Sequence, residues 1–334
     1  MITSYHYGDL SSYSFLITGG AGFIGSNLVE YLLTRKAKRV LVLDNLETGS
    51  LENIRPFFSN PAFGFIEGSV TDLPTCDTAC RNIDIVLHQA ALGSVPRSIK
   101  DPIATNNTNI NGFLNMLLAA RDNNVRRFVY AASSSTYGDS LSLPKKEEII
   151  GKPLSPYAVT KYVNELYAEV FNRIYGLDTI GLRYFNVFGP RQNPEGAYAA
   201  VIPKFIMAFL QGESPIIEGD GNQTRDFTYI ENVVQANIRA ATTPKKEALN
   251  QIYNVAVGER TSIMSLFNIL KELSHSPLAP CFVESRTGDV RDSLADISKA
   301  VRLLGYTPEV RFSDGIDKAY KWFKSIYNLT KSSS

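Results

Sequence analysis

The chain has 334 residues, 44% hydrophobic and 20% charged, with a formal net charge of +1. That length supports a core larger than one ordinary domain, and the balanced charge excludes a surface built for nucleic acid or an acidic membrane. Three cysteines (Cys76, Cys80 and Cys281) are too few and too odd in number for a disulfide framework, and no further ligand completes a metal set, so no metal is expected. Incidental thiols suit a reducing cytoplasm. Met1–Ser14 lacks the basic start and apolar core of a secretory leader, and no apolar run reaches membrane-spanning length.

Phe15–Thr18 reads as a short strand that stops at Gly19-Gly-Ala-Gly-Phe-Ile-Gly25, and a helical pattern follows from Ser26 to about Arg35. Strand, glycine turn, helix is the setting in which such glycines bind a dinucleotide. Gly19 permits the tight turn, Gly22 lets a pyrophosphate approach the backbone, and Gly25 lets helix and sheet pack closely. Free amides at the helix start then face the phosphate charge. Val40–Leu43 is the second strand, and Asp44 ends it. A carboxylate there accepts from the ribose 2′- and 3′-hydroxyls and repels a 2′-phosphate, which favours NAD over NADP.

Further strand-like runs cover Phe63–Ile66, Ile83–His88, Arg127–Ala132 and Thr179–Arg183, with helical patterns at Thr105–Asn123 and Pro156–Tyr175 between them. The alternation predicts an α/β fold with a doubly wound parallel sheet of the NAD-binding Rossmann type. Ligands in such sheets sit at the carboxyl ends of the strands, which here carry Gly19, Asp44, Gly68-Ser69, His88-Gln89 and Ser133. After Tyr184–Pro190 the texture turns to loops rich in Gly, Pro and Asn. This places a boundary near 185: residues 1–185 bind NAD, and residues 186–330 form a smaller α/β substrate domain with some segments packing back on the first.

The same edge receives an acid/base set. Ser155 caps a helix with Pro156 in its first turn, and Tyr157 and Lys161, four apart, share one face. A nearby ammonium favours the phenolate and lowers the tyrosine pKa from about 10. Ser133, from the hydroxyl-rich strand end Ala131–Gly138, holds a substrate oxygen in line. An amphipathic helix face alone produces the Tyr-Lys spacing often; its convergence with the nucleotide loop gives it meaning.

These residues resemble the extended short-chain dehydrogenase/reductases, and most of all the nucleotide-sugar 4-epimerases acting on UDP-N-acetylglucosamine and UDP-N-acetylgalactosamine. The likeness is densest at Thr18–Gly25, His88–Ser98, Ala131–Gly138, Ser155–Glu165, Leu182–Gly189, Gly196–Pro203, Arg225–Asn232 and Gly288–Ala300. It implies Ser133, Tyr157 and Lys161 as the catalytic set, with Tyr157 and Lys161 also touching NAD. Phe23, Ile24, Asn45, Thr48, Gly49, Val70, Gln89 and Thr108 join the glycines and Asp44 around the cofactor. Ser94, Ser134 and Asn186 face sugar or diphosphate. Ala199, Ala200, Val201, Arg225, Arg286 and Asp289 clamp UDP. Ser293 stands where a bulky aromatic closes the pocket of epimerases limited to plain hexoses, so an N-acetyl group has room. Ser69 departs from the family, which usually has an adenine-binding Asp there.

The implied reaction removes the sugar C4 hydride, passes through a 4-keto sugar that turns over, and returns the hydride to the other face. The product would supply surface polysaccharide, and a homodimer would form through helices near 105–121 and 157–174. A 4,6-dehydratase resembles the chain less, because Ser133-Ser-Ser-Thr-Tyr137 holds no acid before the tyrosine. A uronate 4-epimerase stays open, with Arg97 or Arg191 as cations near the sugar. A non-catalytic NAD-binding regulator is the alternative of another class.

Overall fold

The computed structural model describes residues 4–195, 199–284 and 291–332. Six parallel strands arise in the first half: β1 (Ser14–Thr18), β2 (Arg39–Asp44), β3 (Phe63–Glu67), β4 (Ile85–His88), β5 (Arg127–Ser133) and β6 (Thr179–Tyr184). A seventh, Gln251–Val255, adds to β6 in parallel with Tyr253 opposite Leu182. The sheet order is therefore 251–255, β6, β5, β4, β1, β2, β3, all parallel, with successive strands added on one side of β1 up to β3 and on its other side from β4 onward. That change of side opens a crevice at the strands' carboxyl ends, where ligands of such sheets bind.

Strand burial follows from coverage on both faces. Alternate residues of β1 and β2 enter different cores: Phe15, Ile17, Val40 and Val42 join the larger one, whereas Leu16, Leu41 and Leu43 join the other. A strand covered twice must read as a continuous apolar run, and Phe-Leu-Ile and Val-Leu-Val-Leu do so. The helices that cover them are α1 (Phe23–Thr34), α2 (Leu73–Cys80), α5 (Gly112–Asp122) and α6 (Pro156–Tyr175), joined by Ile230–Thr242 from the second half, while α3 (Val95–Lys100) and α4 (Pro102–Asn106) pack on α6. The helix expected over 105–123 starts earlier, at Pro102, and is interrupted by a π-helical turn, Asn107–Asn111. Cys76 and Cys80 are buried beneath α2, which pushes both thiols up to about 12. Cys281 is exposed.

Helix α6 occupies the predicted residues because its ends are strongly marked. Ser155 Oγ accepts from Ala158 N at 3.1 Å, Pro156 occupies the first turn, and Gly176 closes the helix at φ 71°. Its inner face is anchored by a buried ion pair: Arg183 of β6 donates Nε and Nη2 to Glu165 at 2.8 and 2.7 Å. Arg183 also donates to Glu147 O and lies 4.8 Å from the Tyr137 ring centroid. A buried charge that loses its partner is costly, whereas the intact pair is near neutral against an apolar replacement. Arg183→Met is therefore expected to lower unfolding free energy by about 3–5 kcal/mol, read from urea unfolding; a loss below about 1 kcal/mol would mean that Glu165 finds another partner.

Candidate active site

The glycine turn between β1 and α1 is built by exclusion. Gly19 has φ +68°, and a Cβ on it would stand 2.7 Å from Ala90 N. A Cβ on Gly25 would stand 2.2 Å from Gly19 O, so only glycine lets α1 start against the turn. A groove of about 310 Å³ opens over this turn, lined by Gly19, Gly22, Phe23, Ile24, Gly25, Asp44, Asn45, Thr48, Ser69, Val70, Gln89 and Thr108. Asp44 Oδ2 accepts from Ala21 N and Oδ1 from Leu46 N, both at 2.9 Å, so the carboxylate is held at the end of β2. Burial raises its pKa against those hydrogen bonds. Gly49 does not line the groove; a side chain there would press on Ala21 and Asp44. This cradle, glycine-floored with the carboxylates of Asp44 and Glu47 also on its lining, fits an ADP-ribosyl group.

Ile24, Gln89, Ala91 and Gly93 also line a second cavity of about 260 Å³, with Ser133, Tyr157, Lys161, Tyr184, Asn186 and Val187. Tyr184, Val187, Ala91 and Gly93 escaped the sequence reading, because they carry no spacing signal of their own. Beneath it, Tyr184 OH donates to Gln89 Oε1 at 3.0 Å and accepts from Asn237 Nδ2 at 2.8 Å. His88, at the end of β4, is wholly buried against Thr18 Oγ1 at 2.8 Å and is pushed down to about 3, so it stays neutral. Asn109, in the π-helical turn, accepts from Leu92 N at 2.7 Å and donates to Leu92 O and to Thr160 Oγ1, both at 3.1 Å. It thereby ties the loop over the cofactor groove to the helix that carries Tyr157 and Lys161.

The structure brings Ser133, Tyr157 and Lys161, the set expected to be catalytic, to one cavity, with one correction to the expected electrostatics. Tyr157 hydrogen-bonds Ser133, and Ser133 Oγ also accepts from Ser135 N and Oγ at 3.2 and 2.9 Å. The structure does not give the expected lowering of the Tyr157 pKa by Lys161: burial raises it, and the Ser133 bond only partly offsets this. Lys161 Nζ lies 6.0 Å from the Tyr157 ring centroid and donates to Ala131 O at 2.8 Å. Burial depresses Lys161 itself to about 8, opposed by the charge of Glu165. Desolvation outweighs pairing here because both groups lie under the same cover.

Two more cavities continue the crevice. One of about 210 Å³ is lined by Ser133, Ser134, Ser135, Lys145, Asn186, Arg225 and Ser293. Asn186 and Arg225 also line the next, of about 550 Å³, with Ala199, Ala200, Val201, Phe205 and Gln223. Shared walls thus join the dinucleotide groove, the Tyr157 cavity, the hydroxyl-lined cavity and the Arg225 cavity in one series. Ser94 lines none of them: it caps α3, at φ 95°, with its Oγ accepting from Arg97 N. Arg286 and Asp289 lie outside the described residues. Arg97 is not on the wall of the hydroxyl-lined cavity. Arg191 is turned elsewhere, donating to Glu30 at 2.7 Å and to Ser26 O on α1. Among the described residues no cluster of His, Cys, Asp or Glu is arranged to hold a metal, and no helix is long and apolar enough to cross a membrane.

Residues 15–256 match the model of the NAD dependent epimerase/dehydratase family. The chain belongs to that family. Among its relatives, a putative UDP-glucose 4-epimerase of Methanocaldococcus jannaschii is 38% identical over 312 residues, covering 93% of this chain and 98% of the relative. A UDP-N-acetylglucosamine 4-epimerase from Methanobrevibacter ruminantium M1, solved with UDP-N-acetylmuramic acid, superposes with a TM-score of 0.89 at 39% identity, covering 96% of this chain and all of that one. A UDP-glucuronic acid 4-epimerase from Bacillus cereus, solved with its sugar nucleotide and NAD, gives 0.88 at 33% identity, covering 94% and 100%. NAD is the cofactor of the family, and the glycine cradle ending at Asp44 fits it.

Lys161 gives a test of the site's electrostatics. An ammonium whose folded pKa is about 8 against 10.5 unfolded costs stability wherever it is charged in both states. The cost is full below 8 and disappears above 10.5, so the cofactor-free protein gains stability across that window. The gain is roughly 3 kcal/mol from a shift of this size. Lys161→Met is expected to lack that alkaline rise relative to the wild type in urea titrations run from pH 7 to 10.5. Parallel curves for the two proteins would show Lys161 to be unperturbed.

Proposed function

We propose that the protein is a UDP-sugar 4-epimerase, and that its substrates are UDP-N-acetylglucosamine and UDP-N-acetylgalactosamine. The observation carrying this reading is Ser293, a small side chain on the wall of the hydroxyl-lined cavity that adjoins Tyr157. An acetamido group needs that space, and an aromatic side chain would fill it. Arg225, with Arg286 and Asp289 from outside the described residues, is suited to UDP, because a guanidinium matches a diphosphate with paired donors.

NAD, held along Gly19–Gly25, Asp44 and Gln89, supplies the acceptor and later the donor of hydride. Tyr157 as phenolate takes the proton of the sugar 4-hydroxyl, with Ser133 holding the same oxygen in line. The raised Tyr157 pKa makes the phenolate scarce in the cofactor-free chain, so the positive charge of the bound oxidised cofactor is what would bring the base into play. After the 4-keto sugar turns within its cavity, Tyr157 returns the proton on the opposite face. Firm contacts on UDP with few on the sugar permit that turn. No acid precedes Tyr137 in Ser133–Thr136, which leaves dehydration without its usual proton donor.

Incubation of the protein with UDP-N-acetylglucosamine, without added reductant, is expected to yield UDP-N-acetylgalactosamine by NMR at C4. Tyr157→Phe should lower kcat by about 10²–10⁴, and Ser293→Tyr should shift preference toward UDP-glucose. A wild-type protein that inverts only UDP-glucose would overturn the acetylated assignment. One that inverts nothing would favour a regulatory NAD-binding role.

The reading extends to a homodimer. Ile99 and Ile103 on α3 and α4, with Val159, Leu166 and Ile174 on the adjacent α6, are all exposed, Ile103 at 72%. Large exposed apolar side chains on neighbouring helices are suited to a protein contact. Sedimentation is expected to give twice the chain mass, and Ile103→Asp to give the monomer; a monomeric wild type at micromolar concentration would remove the dimer.

A further inference from the structure

We propose that Asn237 is a positioning residue for the nicotinamide half of the cofactor: it holds Gln89 and Tyr184, two residues on the wall of the Tyr157 cavity, in one hydrogen-bonded arrangement. The inference rests on the reading of Gln89 as a cofactor contact, and not on which sugar is inverted. Asn237 itself lines neither the glycine-floored groove nor the Tyr157 cavity. It sits on the helix Ile230–Thr242, in the second half of the chain, which packs across β4 and β6. Gln89 lines both spaces, so it stands where a dinucleotide passes from one to the other.

An amide at this position needs a reason. Asn237 is wholly buried, and Val233, Ala236, Ile238, Ala240 and Ala241 around it on the helix belong to the larger hydrophobic core. A leucine would fill such a place without the desolvation that a buried amide carries. The amide is instead fully bonded. Its Nδ2 donates to Val233 O and to Tyr184 OH, both at 2.8 Å, and its Oδ1 accepts from Gln89 Nε2 at 3.1 Å. Gln89 Oε1 in turn accepts from Tyr184 OH at 3.0 Å, which closes a triangle of three side chains.

One fixed point sets every orientation in the triangle. The Val233 carbonyl belongs to the backbone of the helix and can only accept, so it turns the nitrogen of Asn237 toward itself. Nδ2 gives its other proton to Tyr184, and the Tyr184 proton is left for an amide oxygen. Asn237 Oδ1, 3.1 Å from that hydroxyl, already receives Gln89 Nε2, whereas Gln89 Oε1 has no other donor among the described residues. The proton therefore goes to Gln89. Burial pushes the Tyr184 phenol up, so it keeps that proton to donate. Turning the Gln89 amide over would set its oxygen against Asn237 Oδ1, so one orientation remains. One Nε2 proton and one Oε1 lone pair are left over, a donor beside an acceptor. The hydroxyls and carboxamide of a nicotinamide riboside each donate and accept, which makes that half of the cofactor the matching group.

The test is calorimetric titration of the full chain with NAD and with ADP, which lacks the nicotinamide riboside. Asn237→Leu is expected to weaken NAD about fivefold, the worth of one hydrogen bond, and to leave ADP affinity unchanged. In a Gln89→Leu chain, itself weakened for NAD, Asn237→Leu should cost little more, because the residue it acts through is gone. An equal loss for ADP would show a general disturbance of the fold and overturn the proposal, as would additive losses in the double variant. Asn237→Ala takes the place of Leu should that variant fail to fold. NAD affinity lowered by Gln89→Leu yet untouched by Asn237→Leu would overturn this assignment and leave the Gln89 contact standing; affinity indifferent to both would remove the contact as well.

Discussion

The placement of helix α6 governs the site, and it is fixed by polar groups with no access to water. Glu165 meets Arg183 of β6 one turn below Lys161, Lys161 itself reaches the Ala131 carbonyl of β5, and Thr160 receives Asn109 from the π-helical turn. An apolar face alone would hold the helix against the sheet without fixing its rotation or its slide. Each of these bonds works only in one register, since slipping the helix by a residue would strand a buried charge or an amide. Tyr157 meets Ser133 because the same register brings the end of β5 under the first turn of α6. The stability of the fold and the accuracy of the site therefore draw on the same few contacts.

Much of this was legible because it rests on local rules. The β1 and β2 runs, the glycine turn and the Ser155-Pro156 start each state their conformation within a few residues, and the parallel sheet follows from their alternation. What stayed hidden depends on partners distant in sequence. The seventh strand, Gln251–Val255, is short and sits among loops; only its pairing with β6 defines it. Asn109 looks like one amide in a run of polar residues until the backbone bulges to aim it at Leu92. Lys145 lies in a loop with no periodicity, and its burial comes from the 294–296 segment that crosses it. Ser94, which family likeness pointed toward sugar, has its Oγ accepting from Arg97 N as the cap of α3.

The electrostatic expectation failed for a related reason. Spacing on a helix says that Tyr157 and Lys161 share a face, and in water that proximity would lower the phenol's pKa. Covered by the sheet edge and the loops, both groups instead shift toward their neutral forms, the tyrosine up and the lysine down.

The series of cavities carries the same logic to the substrate. Its two ends are rigid: one is floored by glycines that admit no Cβ, and the other is walled by a helix beginning at Val201. The middle is lined by the hydroxyls of Ser133, Ser134, Ser135 and Ser293, groups that can accept or donate. A ligand gripped at the ends and loosely solvated between them can present either face of its sugar to Tyr157.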